Sequence, residues 1–375
     1  MRITHNLHNV FSNPKQLLSH TLLIVYTAFN KEYLSFIKNY IKYFVIFALF
    51  MRKGKELILA TREFAKEVRW KSWYYTLTTL FLLIACNSVA FLNIPVLVKI
   101  PFSILDGCIM VRFFVIYHDY LHHAILQKSK LANLIFTLFG IYILAPKSIW
   151  KRSHDYHHNH NSKIFSSSVG SYPVLSKEKF FSLPKSEQNA YLFVRNPITI
   201  SFGYIVMFIY GMCILSLVNG KSKHKDSLVA LIVHALLITL VTIFFGWKIL
   251  LLAVLIPFLI SSALGSYLFY AQHNFPGVQF KEKEGWTYEG AALESSSYMK
   301  TNAFWRWSSA NIGYHHIHHL NARIPFYRLP EVMEKIPELQ HPKITTLKPW
   351  DIAKCLRLKV WDSDIQKMVP LKVKA

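Results

Sequence analysis

The sequence is poor in acidic residues and in cysteine. Aspartate and glutamate together number 20 against 43 lysines and arginines, which gives the 375 residues a formal net charge of +23. Such a basic surface favours an anionic partner, but no nucleic-acid-binding motif is present, and a mean hydropathy of +0.26 favours a lipid bilayer. The four cysteines lie far apart with no CxxC pair, which argues against a disulfide scaffold and a cysteine zinc site.

Apolar runs long enough to cross a bilayer recur along the chain, since about 20 helical residues cross the roughly 30 Å of hydrocarbon. The four runs that fit best cover residues 73–92, 94–117, 227–246 and 249–270. Only short turns separate the first two runs and the last two, so each pair predicts a helical hairpin. Residues 131–145 and 198–218 are also apolar, but we expect them to lie along the interface or to dip in and return.

Lysine and arginine indicate which ends of these spans face the cytoplasm, because basic residues are retained there. Residues 51–71 carry seven basic and three acidic residues before the first span, and residues 220–226 hold three lysines before the third. Both segments are therefore predicted to be cytoplasmic. Lys99, Asp106 and Arg112 fall within the second span, where a charge is tolerated if it faces another helix or reaches the interface.

These features predict an all-α integral membrane fold with four transmembrane helices in two hairpins, joined by interfacial helices. The membrane domain is predicted at residues 51–350 and a cytoplasmic tail at 351–375. Residues 1–50 form an N-terminal extension that holds only short apolar and basic stretches. Since Met51 starts a plausible cytoplasmic helix, translation beginning there is a hypothesis that mass spectrometry of the native N-terminus can test.

Histidine is concentrated in three short windows, called boxes below. The boxes cover residues 118–123, 154–160 and 315–319 and contain eleven of the 18 histidines. A uniform scatter would place about one histidine in these 18 positions. The first box ends a predicted span and the third follows the last span, so we expect the boxes to meet at one membrane face.

Spacing within the boxes indicates a metal site, because residues three and four apart share one face of a helix. Eight histidines have this relationship: His118, His122, His154, His157, His158, His315, His318 and His319. Clustered imidazoles give little stability by themselves, whereas neutral imidazole binds iron, zinc and copper strongly. Eight ligands exceed the four or so that one zinc ion uses, which favours two metals.

Other residues near the boxes are further candidates. His123, His160 and His316 lie off the common faces, and His123 is the strongest of the three. Asp119 and Asp155 each follow the first histidine of a box, where they would accept an imidazole N–H or act as solvated caps.

Seven histidines lie outside the boxes. His273 follows the last span and is a candidate ligand. His234 falls in an apolar run and is interpreted as a packed core residue. The remaining five are interpreted as solvated: His5, His8, His20, His224 and His341.

The order HxxxHH, HxxHH and HxxHH resembles the three histidine boxes of the integral-membrane fatty acid desaturase family. The stretch from Gly313 to Leu329, where HH is followed by Ile324-Pro325-Phe326-Tyr327-Arg328-Leu329, is similar to the acyl-lipid Δ12 or ω6 branch. Tyr270-Ala271-Gln272-His273 also fits an extra ligand histidine of that branch. The resemblance covers about residues 55–350.

The resemblance implies a four-helix membrane anchor beneath a cytoplasmic cap that holds two non-haem irons. The implied ligands are His118, His122, His154, His157, His158, His273, His315, His318 and His319. The spacing of the first box varies in the family, so His123 would replace or join His122. Phe269 occupies a position where the acyl-CoA branch has an asparagine, which favours the acyl-lipid branch.

The implied activity is O2-dependent insertion of a cis double bond into an acyl chain of a membrane lipid. Electrons would come from an external ferredoxin or cytochrome b5, since no HPGG-type haem motif is present. A membrane di-iron hydroxylase of acyl chains, alkanes or carotenoids is an alternative, because it shares the boxes. A histidine-rich metal transporter is a more distant one. A soluble carboxylate-bridged di-iron bundle is rejected, because it needs two Glu-x-x-His pairs and only Glu338 to His341 matches.

Overall fold

The computed structural model describes residues 51–164, 172–220 and 223–371, together with Tyr33, Ser35, Phe36 and Lys38. The predictions for residues 1–50 otherwise lie outside the described residues. The chain divides into two units, Met1–Arg52 and Lys53–Ala375. The helices and strands named below belong to the second unit.

Helices make up most of the regular structure of this unit. In chain order the α-helices are α1 Lys55–Ala60, α2 Arg69–Ser88, α3 Val96–Leu121, α4 Lys130–Tyr142, α5 Lys147–His160, α6 Lys177–Ser182, α7 Lys185–Val194, α8 Pro197–Ser201, α9 Leu215–Gly220, α10 Lys225–Leu250, α11 Ile256–Ala271, α12 Tyr288–Glu294, α13 Ala303–Ser308, α14 His315–Leu320, α15 Leu329–Lys335 and α16 Pro349–Arg357. The π-helical segments are Tyr204–Ile214 and Leu251–Leu255. Short 3₁₀ turns occur at Arg62–Ala65, Val89–Phe91, Lys283–Gly285, Phe326–Arg328 and Pro337–Leu339.

The described strands form two small two-stranded sheets. Strand β1, Tyr298–Met299, is parallel to β2, Ile344–Thr345, with Tyr298 opposite Ile344. Strand β3, Val360–Asp362, is antiparallel to β4, Lys367–Val369. The first sheet joins the backbone ahead of α14 to the segment after α15.

Three described segments are long and apolar enough to cross a membrane: Arg69–Phe91, Val96–Leu121 and Lys225–Ala271. The third has 47 residues, which is about 70 Å of helix at 1.5 Å per residue and more than twice the hydrocarbon thickness. Gly246, with φ 79° and ψ 170°, breaks this segment near its middle. Glycine adopts positive φ without a steric penalty, and the break falls where the sequence predicts the turn of the second hairpin.

The two hairpins pack closely against each other. The Phe91 ring at the first turn contacts the Phe245 ring next to the second turn at 5.0 Å. Gly107 brings α3 against α11, because a Cβ atom there would lie 2.7 Å from the Ile260 Cβ atom. Small residues allow this approach between apolar helices.

The charged side chains Lys99, Asp106 and Arg112 of α3 all face protein, and each is buried. Lys99 Nζ donates to the Ala90 carbonyl at 2.9 Å, and Asp106 Oδ2 accepts from Asn87 Nδ2 at 2.8 Å. Arg112 Nε donates to Thr79 Oγ1 at 3.1 Å. Their partners lie in α2 or directly after it. The three charges therefore face another helix, as the sequence predicts for charges within this span.

The segment between the two hairpins is bent. Helices α4 and α5 meet at 89°, next to Pro146, which has no N–H to continue a helix. The apolar stretch Tyr204–Gly220 has 17 residues and is shorter than the three long segments. Helices α5 and α10 begin beside each other, because the Ser148 backbone N–H donates to Asp226 Oδ2 at 3.0 Å.

Candidate metal centre

Four separate parts of the chain bring histidines to one place. The first box lies at the end of α3, where His118 is in the last turn and His122 is the C-cap. The second box lies on α5 and the third on α14, and His273 directly follows the α11 C-cap. Helical spacing therefore sets the relative positions within each box, while packing of the four elements brings the boxes together.

The ring nitrogens of nine histidines form two groups, in each of which one nitrogen per ring lies within 4.8 Å of all the others. Group one consists of His118, His122, His154, His158 and His318. Group two consists of His157, His273, His315 and His319. These nine are the residues that the resemblance implies as ligands, so the structure brings that set together.

Within each group the Nε2 atoms face one another at close range. His118 Nε2 lies 2.8 Å from His154 Nε2, and His315 Nε2 lies 2.8 Å from His273 Nε2. Five further Nε2 to Nε2 distances within the groups run from 3.0 to 3.2 Å. Around a cation bound at about 2.0–2.1 Å, neighbouring ligand nitrogens lie about 3 Å apart. The spacing therefore fits two metal ions.

Hydrogen bonds at Nδ1 fix the tautomer of one histidine in each group. His118 Nδ1 lies 3.2 Å from Asp119 Oδ1, and His273 Nδ1 lies 2.9 Å from the Ser295 carbonyl oxygen. Because both oxygens are acceptors, each Nδ1 carries the proton and each Nε2 presents a lone pair to its group. Nitrogen lone pairs that converge on one point repel one another unless a cation lies between them. This arrangement of donors is therefore typical of a metal site.

The environment keeps eight of these imidazoles neutral. Seven of the nine histidines are buried, and His122 and His273 are half-buried. Burial lowers the pKa of His273 to about 4. Burial, reinforced by the neighbouring rings, holds the pKa well below its usual value at seven others: His122, His154, His157, His158, His315, His318 and His319. Neutral imidazole is the metal-binding form.

Three histidines of the boxes lie outside both groups. His123 is exposed and has φ 62°, in the left-handed region directly after the end of α3. His160 stacks on Tyr156 with ring centroids 3.8 Å apart. His316 is buried and its Nε2 faces the Leu339 carbonyl at 3.3 Å.

The two candidate aspartates differ in their surroundings. Asp119 is buried, and its Oδ2 also accepts from the Phe326 backbone N–H at 2.7 Å. It therefore connects the first box to the segment after the third box. Asp155 instead forms an ion pair with Lys151 at 2.8 Å, one helical turn away on α5.

A largely apolar cavity of about 540 Å³ reaches both groups, a volume within the roughly 300–1,000 Å³ of ligand pockets. It contacts His118 and His154 of group one and His315 of group two. Its walls come mainly from α3, α5, α9, α11 and the π-helical segment Tyr204–Ile214. Apolar wall residues include Val111, Phe114, Phe208, Met212, Phe258 and Phe269.

Some residues at this site carry no signal in the sequence. The partner of His273 is the backbone carbonyl of Ser295, which side-chain patterns cannot reveal. The prediction that His224 is solvated is wrong. It is 3% exposed, lines the cavity and lies 3.3 Å from Arg152 Nη1, because the chain before α10 packs against α5.

Comparison with known proteins agrees with this geometry. A family model described as fatty acid desaturase matches residues 95–346, more than half of the chain. The chain belongs to the fatty acid desaturase family. The family expected from the three boxes is therefore confirmed, and the two histidine groups form a candidate metal site.

Relatives of this desaturase include bacterial and plant proteins. A Bacillus subtilis (strain 168) fatty acid desaturase is 28% identical over 330 residues, covering 85% of this chain and 91% of that protein. The sn-1 oleoyl-lipid 12-desaturase of Anabaena variabilis is 23% identical, covering 63% and 67%. A chloroplastic omega-6 fatty acid desaturase of Arabidopsis thaliana is 23% identical, and the aligned region is 54% of its length.

Proposed function

We propose that this desaturase inserts a cis double bond into an acyl chain of a membrane lipid, using O2 and two non-haem irons. Groups one and two would each hold one iron. The observation that carries the proposal is the apolar cavity, since its wall includes histidines of both groups. An acyl chain in this cavity would lie against both metal positions at once.

The proposed reaction converts –CH2–CH2– to –CH=CH–, with O2, two electrons and two protons giving two water molecules. Unactivated C–H bonds are nearly non-acidic, so ordinary acid and base groups cannot break them. When bound, the irons would supply the redox chemistry with O2 that this step requires. An all-imidazole donor set, rather than the carboxylates of soluble di-iron bundles, would hold them.

The chain's own residues hold the ligands and shape the substrate site. Asp119 and the Ser295 carbonyl orient His118 and His273 through their Nδ1 protons. Phe269 lines the cavity, and its ring lies 5.0 Å from the His157 ring. Apolar walls exclude water and restrict an acyl chain to few orientations, which favours attack at one carbon pair.

Four crossings in two hairpins account for these positions. The ends of α3 and α11 must lie at one membrane face, because both supply histidines to the groups. An even number of crossings between them satisfies this requirement, with α10 and α11 crossing and the bent α4–α5 pair returning. The basic residues 51–71 favour a cytoplasmic location for this face. We assign the membrane domain to 51–350 and a cytoplasmic tail to 351–375.

An external carrier would supply the electrons. A relative from Nostoc sp. (strain 36), 25% identical over 248 residues, is named as an sn-1 acyl-lipid omega-3 desaturase (ferredoxin). The net charge of +23 favours docking of an acidic carrier. We therefore propose a ferredoxin as the donor, with cytochrome b5 as the alternative.

Fatty acid profiling of a bacterial host with and without the gene tests this function. New unsaturated acyl chains in the phospholipids, absent with His318→Ala and retained with His123→Ala, would support it. The control is matched because His123 belongs to a box but is exposed outside both groups. A hydroxy fatty acid in place of a new double bond would instead identify a hydroxylase.

A further inference from the structure

Helix α13 lies apart from the histidine groups, against the side of α3. The Ser308 hydroxyl donates to the Cys108 carbonyl at 3.0 Å. Arg112 Nη1 donates to the Trp307 carbonyl, and the guanidinium lies 4.9 Å from the Trp307 ring centroid. Cys108 and Arg112 precede His118 by ten and six residues, which corresponds to about 15 and 9 Å along the helix.

These contacts lie at a depth where α3 crosses the hydrocarbon core. Counted from the start of α3 at Val96, about 20 residues cross the hydrocarbon core and reach approximately residue 116. Arg112 is then about 6 Å and Cys108 about 12 Å inside the boundary on the histidine side. Interfacial helices insert their apolar face about 5–10 Å into the boundary between headgroups and acyl chains.

The side chains of α13 suit this environment. Phe304 is 44% exposed, and Arg306 is also exposed. Trp305 is half-buried beside Val111 of α3 and Leu264 of α11. Aromatic rings at the membrane interface and a long cation that reaches the headgroups are typical of interfacial segments.

The exposed face of α13 continues the lipid-facing surface of α2. Arg112 joins the two helices, because it donates to Thr79 on α2 as well as to Trp307. Tyr74 and Phe81 on α2 are 56% and 69% exposed. A surface of this kind in a membrane protein contacts acyl chains and headgroups.

We propose that α13 is a membrane anchor that inserts into the lipid leaflet on the histidine side, after the last membrane-spanning helix. The exposed face of α13 contacts bilayer lipid rather than a second copy of the chain or an electron carrier. The boundary between hydrocarbon and headgroups crosses the protein near residue 116, about 6 Å from Arg112. Since α14 begins seven residues after α13 ends, this anchor sets the height of the third box above the lipid.

Spin-label accessibility in the full-length protein, reconstituted into phosphatidylcholine and phosphatidylglycerol vesicles, tests this placement. A label at Phe304→Cys is compared with Phe81→Cys as the lipid reference and Glu284→Cys as the water reference, since both positions are exposed. The native cysteines are buried and give the labelling background. We expect the label at 304 to be relaxed by oxygen more than by a water-soluble nickel complex, as at 81.

A label at 304 that responds like the one at 284 would overturn the proposal. Spin–spin broadening at 304 that disappears on dilution with unlabelled protein would also overturn it, because it would show a second copy on this face. If the labelled Phe304→Cys chain does not fold, the exposed neighbour Ala303→Cys gives the same comparison. The readout needs neither bound metal nor turnover, so its failure is distinguishable from failure of the proposed function.

Discussion

His273 Nδ1 lies 2.9 Å from the carbonyl oxygen of Ser295, while its Nε2 lies 2.8 Å from His315 Nε2. One backbone acceptor thereby selects the tautomer and aims the ring at group two. His273 is the one member of the groups outside the boxes, so no helical neighbour sets its direction. The Ser295 carbonyl, in the segment between α12 and β1, holds it instead, which explains why a single histidine after a span can serve as a ligand.

Removal of one ligand should inactivate the enzyme without preventing its insertion. For His157→Ala and His318→Ala we expect activity to fall more than about 100-fold, because loss of an outer partner alone typically costs 10–100-fold. Bound iron, measured by plasma mass spectrometry, should fall as well. His123→Ala is the control, and carbonate extraction checks membrane insertion. Substantial activity in either ligand variant would remove that residue from the ligand set.

Asp119 should matter far more than Asp155. In Asp119→Ala the acceptor for His118 Nδ1 and for the Phe326 N–H is lost. We expect iron affinity to fall about 10–100-fold, measured by competition with a chelator. Asp155→Ala, whose carboxylate pairs with Lys151 at the surface, should change affinity less than about twofold. Equal effects of the two variants would contradict the role of Asp119.

Close packing of α3 on α11 should make Gly107 intolerant of a methyl group. In Gly107→Ala the new Cβ would meet the Ile260 Cβ atom at 2.7 Å and the Pro257 carbonyl at 2.9 Å. Overpacking of this kind costs about 1–3 kcal/mol. At Gly265 on α11 nothing lies within 4 Å of such a Cβ, so Gly265→Ala is the matched control. Thermal unfolding in detergent should show a lower midpoint for Gly107→Ala alone.

Acid should destabilise the metal-free protein through its histidines. Eight histidines of the two groups have folded pKa values below the usual value, and burial lowers that of His273 to about 4. Between about pH 6.5 and 4 the unfolded chain therefore binds more protons than the folded chain, so the free energy of unfolding decreases as pH falls. Above this window these groups contribute no pH dependence.

Thermal unfolding of chelator-treated protein between about pH 7.5 and 5.5 measures this effect above the range in which unperturbed carboxylates titrate. The midpoint should be constant down to about pH 6.5 and then decrease. The slope should be smaller in His273→Gln, which has one titrating ring fewer. A midpoint that does not change across the window would contradict the burial of these groups as neutral imidazoles.

The sequence predicted best what depends on helical periodicity. His154, His157 and His158 share a face of α5, and the structure brings all three to the groups because spacing along a helix fixes direction. The choice between His122 and His123 could not be made in this way. It depends on where α3 ends, and His123 leaves the helix in the left-handed region.

Contacts between segments remote in the chain could not be predicted from the sequence. Arg112 could be predicted to face protein, but its partner Trp307 is 195 residues away. The burial of His224 likewise follows from packing of the chain before α10 against α5, which no local pattern specifies. The cavity is formed by several helices, so its lining depends on their mutual packing rather than on the periodicity of any one.

The distribution of ligands along the chain sets the order in which the centre can mature. Group one needs His118 and His318, which are 200 positions apart, and group two stays incomplete until His319 has been synthesised. Neither group is complete while the ribosome is still synthesising the second hairpin. Delivery of metal to the complete groups must therefore follow synthesis of both hairpins and of the third box.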